Sequence, residues 1–142
     1  MLIGEFQHSL DDKGRLIVPS KFRNELGMSF IITRGLDGCL NAYSLLEWEK
    51  VQEKFENLES GGEKLRRLER WFFGGASECE TDKQGRIIIP QNLREYADLK
   101  KDVVVIGNRT KMEIWNPDKL KAVDLDTEEC IEFADRIPGL RI

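Results

Sequence analysis

Two short stretches of this sequence carry the side chains best suited to chemistry. One is Asp11-Asp12-Lys13-Gly14-Arg15 and the other is Asp82-Lys83-Gln84-Gly85-Arg86. Each combines a carboxylate, a lysine, a glycine and an arginine within five residues. Arginine presents a rigid fork that matches a carboxylate, a phosphate or the O6/N7 edge of guanine, whereas lysine acts as a point charge toward phosphate. An aspartate at the head of a turn accepts from backbone N–H groups and can also pair with a nearby arginine. A glycine just before the arginine suits a tight turn between strands, where φ is positive.

A plain role for these residues is that Asp11–Arg15 and Asp82–Arg86 pin their own turns or bridge two parts of the fold. That role suits the aspartates, with Gly14 and Gly85, as supports of the turns. It suits the arginines less, because an arginine beside a lysine at a loop tip is equipped for phosphate or guanine. Lys13, Arg15, Lys83 and Arg86 are therefore the candidate DNA-contacting residues, with Asp12 the one additional acid at the tips.

The elements that must position these groups come from a duplication. Asp11, Gly14, Arg15 and Pro19 recur as Asp82, Gly85, Arg86 and Pro90 at a constant offset of 71 residues (82 − 11). Phe22-Arg23 is answered by Leu93-Arg94, Phe30 to Thr33 by Val103 to Ile106, and Cys39 to Tyr43 by Met112 to Trp115. Each repeat predicts a first strand, the turn, a short strand (Leu16-Ile17-Val18 or Ile87-Ile88-Ile89), a short helix after the proline, and a hairpin. The aliphatic triplets read as strands buried on both faces. Each repeat is too small to bury a core alone, so the halves, 1–72 and 73–142, are expected to pair about a pseudo-two-fold with interleaved hairpins.

Helices are expected after each hairpin. Ser44 and Glu47 form a capping-box pattern ahead of a stripe of Trp48, Val51, Phe55 and Leu58. Gly61-Gly62 breaks the chain before a helix from Lys64 to Phe73 with Leu65, Leu68 and Trp71 on one side. Asn116-Pro117 opens a shorter helix with Leu120 and Val123 inward, and Glu128 to Ile137 forms the last, offering Ile131, Ala134 and Ile137. The predicted fold class is mixed α+β with a mainly β core and peripheral helices.

Composition bounds the rest. The chain has 142 residues, 40% hydrophobic and 34% charged, an ordinary folded composition. It has no apolar run long enough to span a membrane and no signal-peptide pattern at its start, so a cytoplasmic location is expected. Cys39, Cys79 and Cys130 are odd in number and far apart, and read as reduced structural thiols. His8 is the only histidine and has no second ligand at useful spacing, so a packing role is expected and no metal site. The net charge of −4 opposes non-specific binding to nucleic acid. A DNA function therefore requires the positive charge to be concentrated at the two tips and the acid, Glu47 to Glu59 and Asp124 to Asp135, to lie on helices elsewhere. The basic run Lys64 to Arg70 reads as a solvated or inter-subunit helix face, and Trp48, Trp71 and Trp115 as core or interface anchors.

The stretch Leu10-Asp11-Asp12-Lys13-Gly14-Arg15-Leu16-Ile17-Val18-Pro19, repeated from Asp82 to Pro90, resembles the signature of MraZ proteins, as does the opening Gly4-Glu5-Phe6-Gln7-His8-Ser9-Leu10. The resemblance spans essentially the whole chain. It implies two AbrB-like swapped-hairpin halves, a ring-shaped homo-oligomer, and a nucleoid-associated transcription regulator. The partner it implies is double-stranded DNA, at short repeats upstream of the division and cell-wall gene cluster, including the protein's own gene. It implies no cofactor, membrane partner or small-molecule substrate, and it carries Arg15 and Arg86, helped by Lys13 and Lys83, over as DNA-contacting positions. The second motif departs from the first, with Gln84 in register with Lys13 and Lys83 one place earlier, so the halves need not contribute equally.

Three other functions are weighed against this one. An antitoxin of the same hairpin class usually carries one copy and a disordered tail, unlike this doubled chain with its capped last helix. An enzyme needs a nucleophile with a base, a metal cluster or convergent carboxylates, and no such pattern is present. A scaffold would keep the repeat and the apolar stripes but would not need lysine and arginine at both tips.

Overall fold

The computed structural model describes residues 1–142. In chain order the elements are β1 (Leu2–Ser9), β2 (Arg15–Ile17), α1 (Ser20–Leu26), β3 (Ser29–Arg34), β4 (Leu40–Ser44), α2 (Leu45–Glu56) and α3 (Gly62–Gly74), followed by β5 (Ser77–Glu80), β6 (Arg86–Ile88), α4 (Gln91–Tyr96), β7 (Asp102–Arg109), β8 (Lys111–Trp115), α5 (Pro117–Val123) and α6 (Thr127–Arg136). The fold is mixed α+β around an antiparallel β core.

The long sheet has the order β1-β7-β8-β4-β3-β5 and a second sheet pairs β2 with β6. Exchanging each strand for its repeat equivalent reverses that order and leaves it unchanged. The halves are thus related by a pseudo-two-fold passing between β4 and β8, where Leu40 faces Ile114 and Asn41 faces Glu113. Each half's first strand lies in the other half's territory: β1 pairs along β7, and β5 pairs along β3. Each half's edge strand is thus supplied by the other half of the same chain.

One apolar cluster holds both halves. Leu16, Val18, Phe22 and Phe30 from the first meet Ile87, Ile89, Leu93 and Val105 from the second, all essentially sealed from solvent. Burying one such aliphatic or aromatic side chain stabilises by about 1.5–3 kcal/mol, so the interdigitation of the repeats holds the fold together. Phe6 of β1 packs edge-on against Phe22 of α1, with ring centroids 5.3 Å apart.

The expectation that the triplets are buried on both faces is corrected. Leu16, Val18, Ile87 and Ile89 are buried, but Ile17 is 43% and Ile88 63% exposed. The two-stranded ribbon has the core on one face only, so the period-2 alternation of a strand turns each central isoleucine outward.

The helices also depart in detail. Ser44 caps α2 by accepting from the Glu47 N–H at 3.2 Å, but the Glu47 carboxylate pairs with Lys50 instead of returning to Ser44. The reciprocal box forms at Asp126 and Glu129, at the start of α6. Trp48 and Phe55 form the inner stripe of α2, against Phe72 and Phe73 of α3. Leu58 falls beyond the end of α2 and is exposed. On α3 the buried residue is Phe72 rather than Leu65 or Leu68, while Trp71 turns to Tyr96 and Arg34. Leu120 packs beside Cys39, Val104 and Trp115, but Val123 is exposed.

A candidate nucleic-acid interface on the paired turns

The two turns have the same internal construction. In the first, Asp11 Oδ1 accepts from the backbone N–H groups of Lys13 and Arg15 at 2.9 and 2.8 Å, and Asp11 Oδ2 accepts from Arg15 Nε at 2.5 Å. In the second, Asp82 Oδ1 accepts from Gln84 and Arg86 N–H at 2.9 and 2.8 Å, and Asp82 Oδ2 from Arg86 Nε at 2.8 Å. Backbone bonds close the loops, from Asp11 N–H to the Arg15 carbonyl and from Asp82 N–H to that of Arg86.

These contacts hold both carboxyls below the usual carboxylate range. For Asp11 the backbone N–H of Arg15 is the largest cause, partly opposed by desolvation and reinforced by the Arg15 guanidinium. Asp82 repeats the pattern with Arg86. Each aspartate engages only Nε of its arginine, which leaves the terminal nitrogens of the guanidinium to other acceptors. The aspartate thus orients the fork without closing it.

The short strands set the turns at the two ends of one ribbon. Arg15 faces Ile88, Leu16 faces Ile87 and Ile17 faces Arg86 in the β2–β6 ribbon. Arg15, Ile17, Arg86 and Ile88 share the outer face, with the arginines on one diagonal and the isoleucines on the other. Diagonal positions across such a ribbon lie about 7–8 Å apart, so the two arginines stand on one surface. Lys13 and Lys83 stand exposed at the tips.

Two further arginines complete the ribbon, and the sequence reading assigned them no role. Arg23 of α1 donates from Nε to the Val18 carbonyl at 2.9 Å, and Arg94 of α4 donates from Nη1 to the Ile89 carbonyl at 2.8 Å. Each reaches across to the other half: a Cβ on Gly85 would fall 2.3 Å from Arg23 Cζ, and a Cβ on Gly14 would fall 1.7 Å from Arg94 Nη1. Gly14 and Gly85 have φ of +75° and +78°, so the backbone favours glycine, and a side chain there would have to push the crossing guanidinium aside. The repeat places Arg23 and Arg94 in equivalent positions, but only the tertiary pairing shows what they touch.

The charge balance of this surface differs from that of the whole chain. Arg15, Arg23, Arg86, Arg94, Lys13 and Lys83 stand against Asp11, Asp12 and Asp82, six cations to three carboxylates. The ribbon is packed by β1 and β5, whereas the acidic helix α2 packs on β3 and β4.

The remaining candidates lie apart from the ribbon's outer face. His8 is half-buried on β1 opposite Val103. Burial pushes the Cys39 thiol up to about 12 and the Cys79 thiol up to about 11, so neither is a nucleophile at neutral pH; Cys130 is exposed. No helix is long and apolar enough to cross a membrane.

Comparison with known proteins agrees with the motif. The family described as "MraZ protein, putative antitoxin-like" matches residues 1–70 and 72–126. A protein of Acetivibrio thermocellus, named transcriptional regulator MraZ, is 54% identical over 143 aligned positions that cover 100% of both chains. Its namesake in Caldicellulosiruptor saccharolyticus is 52% identical over 132, covering 93% of this chain and 92% of its own. A third namesake, from Desulforamulus reducens, is 49% identical over 141, covering 99% of each. With the doubled Asp-x-x-Gly-Arg turn and matches that run from end to end, this chain belongs to the MraZ family.

Proposed function

We propose that the chain is a DNA-binding transcriptional regulator that reads its site through the outer face of the β2–β6 ribbon. The observation that carries this reading is the pair of guanidiniums, Arg15 and Arg86, each steadied through Nε by its own aspartate and set on one diagonal of a shared surface. A two-stranded ribbon fits the B-DNA major groove, about 12 Å wide, where an arginine fork matches guanine O6 and N7. Lys13 and Lys83 at the tips would meet phosphates, and Ile17 and Ile88 offer apolar contact to thymine methyl groups. Asp11, Gly14, Asp82 and Gly85 serve by shaping the turns, and Arg23 and Arg94 by bracing them and adding positive potential.

The family likeness supports a finer reading. The target would be short direct repeats upstream of the division and cell-wall gene cluster, including the protein's own gene. The protein would act as a ring-shaped homo-oligomer associated with the nucleoid. Successive ribbons in such a ring would combine several weak contacts through high effective concentration, which requires repeats spaced about one helical turn apart.

The test is binding to DNA from upstream of its own gene across a salt series, for the natural chain and an Arg15→Ala/Arg86→Ala variant. The expected result is preference over random DNA and a steep salt dependence, both lost in a variant that folds and assembles normally. Unchanged binding by the variant would move the site off the ribbon. Absence of any preference for the upstream DNA would favour a scaffold.

A further inference from the structure

The two ends of the β2–β6 ribbon match in backbone and differ in charge. Both turns close with the same hydrogen bonds to their aspartates, and their glycines share one left-handed conformation. The exposed side chains do not repeat: Asp12 stands where the second turn has Lys83, and Lys13 where it has Gln84.

The crossing of the halves widens this difference. The Val18 N–H donates to the Gly85 carbonyl at 2.9 Å, and the Ile89 N–H to the Gly14 carbonyl at 3.0 Å. The start of α1 therefore lies beside the second turn, and the start of α4 beside the first. Exposed Lys21 of α1 corresponds to Asn92 of α4, and Asn24 to Glu95. The end formed by the second turn and α1 thus gathers Lys21, Arg23, Lys83 and Arg86 around one carboxylate, Asp82. The end formed by the first turn and α4 balances Lys13, Arg15 and Arg94 against Asp11, Asp12 and Glu95. Attraction to phosphate, which is independent of sequence, falls mainly on the first of these ends.

Asp12 is the acid that the fold does not use. Asp11 and Asp82 are engaged by their own turns, whereas Asp12 is exposed and forms no ion pair within the chain. Its repeat equivalent, Lys83, is the residue assigned above to phosphate, so Asp12 approaches DNA in the same way at the opposite end. A carboxylate there is repelled by phosphate on any sequence. That cost is offset where a cytosine amino group donates to it in the major groove.

We propose that Asp12 is a specificity-determining residue that accepts from the N4 amino group of a cytosine, while Lys21 and Lys83 anchor the opposite end to phosphate regardless of sequence. This rests on the DNA-binding reading above and deepens it. It makes the two halves of the bound site chemically different, although the ribbon that reads them is pseudo-symmetric. Discrimination then comes partly from a repulsive element that penalises wrong sites.

The experiment measures binding of the full chain to two DNAs, the upstream fragment and a random duplex, by fluorescence anisotropy at one salt concentration. Asp12→Ala is expected to bind the random duplex about fivefold more tightly and to gain less on the upstream fragment, so that their ratio falls. Lys21→Ala/Lys83→Ala is expected to weaken both DNAs by the same factor. Replacing one C·G pair of the upstream site by T·A should weaken the natural chain by about fivefold to a hundredfold and affect Asp12→Ala far less. Unfolding midpoints of the variants serve as the folding control. An equal gain by Asp12→Ala on both DNAs, or no gain on either, would overturn the assignment of Asp12. A cost at every C·G pair that persists undiminished in Asp12→Ala would overturn it as well. A changed ratio in Lys21→Ala/Lys83→Ala would overturn the division between the ends. A natural chain with no preference for the upstream fragment would instead overturn the DNA-binding reading itself.

Discussion

The guanidinium of Arg23 lies over Gly85, a residue of the other repeat's turn, where an added Cβ would sit 2.3 Å from its Cζ. Arg94 and Gly14 mirror this relationship, so each half braces the turn of its partner half. Gly85→Ala would combine a left-handed backbone at φ +78° with this collision. The left-handed conformation alone costs about 1–2 kcal/mol, and urea unfolding should show at least that loss. Arg23→Ala, which removes a charged donor from the Val18 carbonyl, should lose about 1.5–3 kcal/mol. A loss in Arg23→Ala no larger than that of a surface substitution would contradict the crossed bracing.

The ribbon's alternation is testable on adjacent residues. Leu16→Ala and Ile87→Ala remove fully buried side chains and should each cost about 2–5 kcal/mol. Ile17→Ala and Ile88→Ala, on the exposed face, should each fall within about 0.5 kcal/mol of the natural chain. On the proposed interface the outer pair should nevertheless weaken DNA binding. Thermal unfolding and binding measured on the same four variants separate the two faces.

Acid should loosen both tips together. The carboxyls of Asp11 and Asp82 are held below their unfolded value of 3.8. The stability they contribute is therefore fully present above that pH and is lost as pH falls through their lower folded values. Carbon-detected NMR titration should give midpoints below 3.8 for both residues. In Arg15→Gln only the Asp11 midpoint should rise, part-way, because the backbone N–H donors remain. A simultaneous rise at Asp82 would show the two turns to be electrostatically coupled.

Salt dependence separates the roles of lysine and arginine. If Lys13 and Lys83 each neutralise one phosphate, Lys13→Ala should reduce the slope of log K against log salt by about 0.9 while leaving sequence preference intact. Arg15→Gln should instead relax the preference, by about 1–3 kcal/mol at one base pair if it grips a guanine. Fluorescence anisotropy with single-base variants of the bound DNA distinguishes these outcomes.

The cysteines report on burial. Cys39 and Cys79, with thiols pushed up to about 12 and about 11, should resist iodoacetamide at pH 8 until the protein unfolds. Cys130, exposed on α6, should react rapidly in the folded chain. Mass spectrometry of the alkylated peptides measures all three.

Much of this was legible in the sequence because it is local or repeated. The Asp-to-Arg spacing closes a turn through contacts no more than four residues apart, and the offset between the motifs shows a duplication without any structure. Glycine before each arginine, proline after each short strand and the capping residues Ser44 and Asn116 act on their immediate neighbours, so the elements follow from chain-local physics. What remained for the tertiary structure was direction. Whether Ile17 and Ile88 face in or out depends on the core lying on only one side of the ribbon, which an unbroken aliphatic triplet does not reveal. The functions of Arg23 and Arg94 depend on the opposite repeat lying across them. The register of β2 on β6, which sets Arg15 and Arg86 on one diagonal, arises from cross-half pairing between residues some seventy positions apart. Local order is written in neighbours along the chain, but a surface assembled by two halves is decided only when their cores interlock.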